Sequence, residues 1–122
     1  MTNEEIDRKL ATECMGWTRH TLRSGDWWCQ NSKQDFKEIQ CKDWSPSTNI
    51  AQAFECLDKL EAYVNMMMWS YPDTKKYRVQ IYSGDYETDR HKILSDAESD
   101  TPAMAICLAI LAAIEKGKPD AV

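Results

Sequence analysis

The chain has no C-x-x-C pair, only two histidines, no excess of basic charge and no apolar run long enough to cross a bilayer. Each absence removes a class of function. His20 and His91 stand apart from any Cys, Asp or Glu at a metal-ligand spacing, so neither a metal site nor a cofactor is expected. With 15 Lys and Arg against 20 Asp and Glu, the formal net charge of −5 argues against gripping duplex nucleic acid through its phosphates. A local basic pocket stays open, because net charge says little about one site. The longest apolar run, residues 103–114, falls well short of the roughly 20 residues a membrane helix needs. No solenoid-period repeat and no low-complexity segment appears. The five cysteines are odd in number and scattered, and no secretory-signal pattern is seen. The expectation is a cytoplasmic protein with reduced thiols, in which Cys14, Cys56 and Cys107 serve as small core groups.

What is present suits one ordinary globular domain over residues 1–122, with 43% hydrophobic and 29% charged residues. Thr2-Asn3-Glu4-Glu5 has capping-box form, and Ile6, Leu10 and Cys14 fall on one stripe of a first helix ending near Gly16. Trp17 to Leu22 reads as a short strand and Ser24-Gly25-Asp26 as a turn. Trp27-Trp28-Cys29 and Phe36-Lys37-Glu38-Ile39 flank a polar loop at residues 30–35. From about Ser47, apolar residues recur at Ile50, Phe54, Leu57, Leu60, Val64, Met67 and Met68. That period predicts a long second helix, over before Pro72. Residues 77–82 alternate as a strand, Ser83-Gly84-Asp85 forms a turn, and residues 86–94 return as the hairpin partner. A third helix starts with Pro102 at its first position and stops at Gly117. It is apolar nearly all round, so it is either a central core helix or partly a homo-oligomer interface. The fold class is α+β: a small, mostly antiparallel sheet sandwiched between three main helices.

Two constellations could hold a ligand. The first is Trp44, Ser47, Thr48 and Asn49 with Asp100 and Thr101, at two helix starts. Hydroxyls and unpaired N–H groups there suit a phosphate or carboxylate, with an indole for stacking. The alternative is that these residues only cap and plug helices, and Asp100 already supplies a negative group to the third helix. The second is Trp27, Trp28, Tyr82 and Tyr86 with Arg19, Arg78 and Arg90. Flat aromatics among arginines are what a nucleotide needs, a stacking plane and charge-assisted bonds to phosphate. The alternative is sheet packing with solvated charges. No nucleophile, base or metal motif is visible, so a non-enzyme is expected and no catalytic residue is assigned. Met66-Met67-Met68 reads as core filler or as an adaptable binding surface.

At Met15-Gly16-Trp17, at Trp44-x-Pro46-Ser47-Thr48-Asn49-Ile50-Ala51 and at Asp100-Thr101-Pro102-x-x-Ala105-Ile106-Cys107-Leu108-Ala109, the chain resembles the phage ABA sandwich domain family. More distantly it resembles NinX-type phage proteins. The resemblance runs the length of the chain in the same order. Where the family carries Asp, this chain has Asn49, which keeps a capping side chain and removes a charge. The resemblance implies helices on both faces of a small antiparallel sheet and a bacteriophage accessory gene acting in the host cytoplasm. It brings no catalytic residues. The expectation built on it is a non-catalytic counter-defence protein that captures a small nucleotide signal, of cyclic nucleotide or cyclic ADP-ribose type. Trp27, Trp28, Arg78, Tyr82 and Arg90 would make the stacking and phosphate contacts. The alternatives are an acidic inhibitor of a host enzyme, for which Asp96-Ala97-Glu98-Ser99-Asp100 is suggestive, and a nucleotide-processing enzyme.

Overall fold

A helix apolar on every side must be covered on every side, and the last helix organises the molecule around that requirement. The computed structural model describes residues 1–30, 36–60, 64–85 and 90–117. Three α-helices are present among these, α1 (Asn3–Lys9), α2 (Ile50–Asp58) and α3 (Pro102–Gly117). Six strands accompany them: β1 (Trp17–Leu22), β2 (Gly25–Gln30), β3 (Lys37–Gln40), β4 (Val64–Tyr71), β5 (Lys76–Asp85) and β6 (Arg90–Ser99). They form two antiparallel three-stranded sheets, ordered β1-β2-β3 and β4-β5-β6. The α+β class therefore holds, with the strands divided between two sheets.

On one side of α3 lie β5 and β6; on the other lie α2 and the turn that ends α1. Ala105, Ile106, Cys107, Ala109 and Ile110 are fully buried, as are Val79 and Ile81 on the facing strand. The Ser95 hydroxyl donates to the Ala109 carbonyl at 2.7 Å, pinning β6 to the middle of the helix. Own-chain packing thus accounts for most of the helix circumference, leaving Ala112 exposed. Cys56 and Cys107 are buried and Cys14 is half-buried, its thiol 3.1 Å from the Cys56 carbonyl oxygen, which accepts from it. Burial pushes the Cys107 thiol up to about 12.

α1 is capped by Thr2, whose hydroxyl accepts from the Glu5 N–H at 3.2 Å. Its last turn widens into a π-turn over Leu10–Cys14, closed by the Met15 N–H on the Leu10 carbonyl at 2.9 Å. The wider turn buries Ala11 beside Leu10 and leaves Cys14 only half-buried. Gly16 then stops the helix in the left-handed region, at φ 73°.

Four expectations need correction. The second helix ends at Asp58, and Val64–Tyr71 is a strand paired with β5 along its whole length. Val64, Met67 and Met68 matched a helical spacing by coincidence, and long-range pairing overrode it. Ile50 and Phe54, placed on the buried stripe, are each 40% exposed, while Ala53 and Cys56 face the core. Ser83-Gly84-Asp85 is not a turn: β5 runs through Asp85, and the partner strand expected over residues 86–94 is described from Arg90, residues 86–89 lying outside the described residues. The first hairpin also turns one residue early, with Leu22 opposite Gly25 at φ 123°. The loop expected at residues 30–35 lies, beyond Gln30, outside the described residues.

Candidate functional site

β1 and β2 pair so that Trp17, Arg19, Thr21, Asp26 and Trp28 share one face of the first sheet. Trp28 is 4% exposed and joins the core. Trp44, also 4% exposed, meets Trp17 edge-on with ring centroids 4.8 Å apart. Its indole N–H donates to the Asp7 carbonyl at 2.8 Å, tying the segment after β3 to α1.

Between this sheet face, α1 and the 3₁₀ turn Cys41–Asp43 lies a cleft of about 530 Å³. Trp28 and Trp44 line it together with Arg8, Arg19 and Lys42, and with the carboxylates of Glu4, Asp7 and Asp26. Two of those carboxylates are already engaged. Asp26 pairs with Arg19 at 2.8 Å and accepts from Thr21 at 2.8 Å, which holds it below the usual carboxylate range. Asp7 accepts from the Ser47 N–H at 2.8 Å and from the Ser47 hydroxyl at 3.0 Å. Burial nonetheless pushes the Asp7 carboxyl above its ordinary value, against the opposing pull of the two Ser47 donors. Cys41 is the one thiol lining the cleft, and burial moves its pKa upward, toward the protonated form.

The helix starts are internally satisfied. Asn49 caps α2, its side-chain carbonyl accepting from the Gln52 N–H at 3.3 Å. Thr48 is exposed and its hydroxyl donates to the Ser45 carbonyl at 3.3 Å. Thr101 accepts from the Met104 N–H at 3.2 Å. Ser47, 2% exposed, spends both its donors on Asp7, so a carboxylate of the chain itself sits where an external anion was expected. Ser47, Thr48 and Thr101 do line one common cleft of about 490 Å³ with Asn3, Ile50 and Met104.

The aromatic–arginine set is divided between the two sheets. Trp27 and Trp28 belong to the first sheet, whereas Arg78, Tyr82 and Arg90 belong to the second. Trp27 lies on the opposite face of β2 from the cleft, its indole N–H bonded to the Ser24 hydroxyl at 2.9 Å and the Lys37 ammonium 5.5 Å from its ring centroid. Arg78 makes a bidentate pair with Asp96, at 2.9 Å from its Nε and through a second contact from Nη2. It also lies 5.7 Å from the Trp69 ring centroid. Tyr82 is half-buried on the same strand, and Arg90 opens β6 opposite Asp85. Tyr86 is outside the described residues.

Sequence reasoning missed Arg8 and Lys42 in the cleft and Trp69 beside Arg78. The first two carried no signal, because three separate segments assemble the cleft. Trp69 was hidden by the helical reading of β4. Among the described residues no group of three His, Cys, Asp or Glu is placed to hold a metal, and no helix is long and apolar enough to cross a membrane.

A family model described as the Phage ABA sandwich domain matches residues 8–111. No curated protein and no solved structure matches the chain.

Proposed function

The chain belongs to the Phage ABA sandwich domain family, and from that premise we propose that it is a non-catalytic phage accessory protein that sequesters a small nucleotide. The ligand class is a host immune signal of cyclic nucleotide or cyclic ADP-ribose type, and the action is counter-defence by stoichiometric capture. The observation that carries the reading is the first cleft, where two buried indoles and the cations of Arg8, Arg19 and Lys42 converge on about 530 Å³. That volume lies within the range typical of small-molecule pockets, and the lining sets two indoles beside cations able to bind phosphate, with Asp26 and Asp7 already engaged within the chain. Because Arg19 is paired with Asp26, Arg8 and Lys42 are the principal anion contacts in this reading. Trp28 and Trp44 take the stacking role first given to Trp27 and Trp28.

The test is native mass spectrometry and calorimetry against a panel of cyclic di- and trinucleotides and ADP-ribose derivatives. Expected is a stoichiometric adduct released unchanged on heating, with affinity at least about tenfold weaker in Arg8→Ala/Lys42→Ala. No adduct across the panel, or full affinity in the double variant, overturns the proposal.

A second reading, an acidic inhibitor of a host enzyme, draws on the exposed Glu98 and Asp100. Asp96 contributes less to such a surface because Arg78 already neutralises it. Binding by that route weakens steeply with ionic strength, whereas a stacked ligand in a partly apolar cleft is less salt-sensitive.

A further inference from the structure

The two sheets have four edge strands, and three of them carry charge: Arg19 on β1, Lys37 and Glu38 on β3, and Lys92, Asp96 and Glu98 on β6. β4 carries none. Its eight residues, VNMMMWSY, hold no Lys, Arg, Asp, Glu or Pro. Its ladder with β5 is unbroken, from Val64 opposite Ser83 to Tyr71 opposite Lys76, so no bulge twists the edge away. Along its other side no strand pairs with it among the described residues, and β5 is the one element that packs along its length. Met68 is 40% exposed there and Tyr71 38%. Sheet proteins normally protect a long edge with charge, proline, a bulge or shortness, and this edge has none of the four.

We propose that β4 is an interface for a second copy of this chain, paired antiparallel with its counterpart across a two-fold axis. The two β4-β5-β6 sheets then join into one sheet of six strands. Charge selects the occupant. An uncharged edge pairs best with an uncharged strand, and of the four edges in this molecule only β4 offers one. A second copy supplies it with equal length and matched pleat. α3 offers less free surface, because β5, β6 and α2 pack against it. A two-fold axis normal to the sheet preserves its faces, so residues of like orientation meet across the new ladder. With Met68 on the axis, it packs against its own counterpart, and Met67 faces Trp69 of the other copy. Unbranched methionines suit such a seam, since they adapt to each other's shape.

The test is light scattering with size-exclusion chromatography over a concentration series, with hydrogen exchange on the same samples. A wild-type particle of twice the 14.1 kDa chain mass is expected, with β4 amides more protected as concentration rises. Met68→Lys sets two ammonium groups opposite each other and is expected to raise the dissociation constant at least about tenfold while the far-UV spectrum is unchanged. Met68→Leu keeps the dimer, and Ile93→Lys, on the charged β6 edge, leaves it intact. A wild-type monomer at about 100 µM, at the weak end of the affinities expected for a transient dimer, overturns the proposal. So does a dimer that survives Met68→Lys but is broken by Ala112→Glu on α3.

Discussion

Trp28 and Trp69 each stand on a strand of an antiparallel three-stranded sheet, yet they lie in opposite surroundings. Trp28 is on the central strand of the first sheet, 4% exposed, joined to the core and lining the cleft. Trp69 is on the edge strand of the second sheet, half-buried beside the Arg78–Asp96 pair. Each sheet turns one face to the core, but the first puts its indole on that face while the second puts Val79 and Ile81 there against α3 and leaves its indole outside. Burial sets what each tryptophan contributes: Trp28 holds the fold and floors a pocket, whereas Trp69 borders a surface.

The sharpest way to break this contrast is to truncate both. Trp28→Ala is expected to lose about 3–5 kcal/mol of stability in urea unfolding, as a large core ring leaves a cavity. Trp69→Ala is expected to lose about 1 kcal/mol or less, chiefly its contact with Arg78. Equal losses would show that the two sheets are not used differently. Next in size is Ser47→Ala, which removes a hydroxyl donor from the half-buried Asp7 carboxylate and should lose about 1.5–3 kcal/mol. Asn49→Ala and Thr101→Ala are each expected to lose about 1 kcal/mol as lost helix caps. Neither should alter the nucleotide capture proposed for the first cleft, which calorimetry on the same variants checks.

The smallest effect separates the two regions by sign. Asp96, held low by Arg78, contributes stability above its ordinary 3.8 that is lost as pH falls through its lower folded value. Asp7, raised chiefly by burial, does the reverse: its contribution is greatest below 3.8 and is lost as pH rises through its higher folded value. Melting curves from pH 3 to pH 7 should therefore favour Asp7→Asn over wild type increasingly as pH rises. They should favour wild type over Asp96→Asn in the same direction, by less than about 1 kcal/mol because that pair is exposed.

How much of this was legible in the sequence depended on whether the deciding contacts were local. α1 and α3 were readable because their caps and stops are written within a few residues, at Thr2, Gly16, Thr101 and Pro102. β1 was readable from alternation and flanking turns. β4 was not, because Met66, Met67 and Met68 carry no period of their own, and only pairing with β5 makes them a strand. The first cleft was half visible. Its indoles were noticed as large aromatics, but Arg8 and Lys42 join them only when α1 and the 3₁₀ turn are brought to the sheet. That Trp27 and Trp28 stand on a different sheet from Arg78 was hidden for the same reason: nothing local says which of two sheets a strand joins.

The central place of α3 has a consequence for how the protein is made. A ribosome emits α1, α2, β5 and β6 before residues 102–117, so each of those elements must wait for the helix it packs on. Until then Val79, Ile81 and the side of α2 that packs on α3 have nothing to cover them. Assembly is therefore a closing event that waits for α3, and a chain released before α3 emerges is a substrate for chaperones and proteases rather than a smaller working protein.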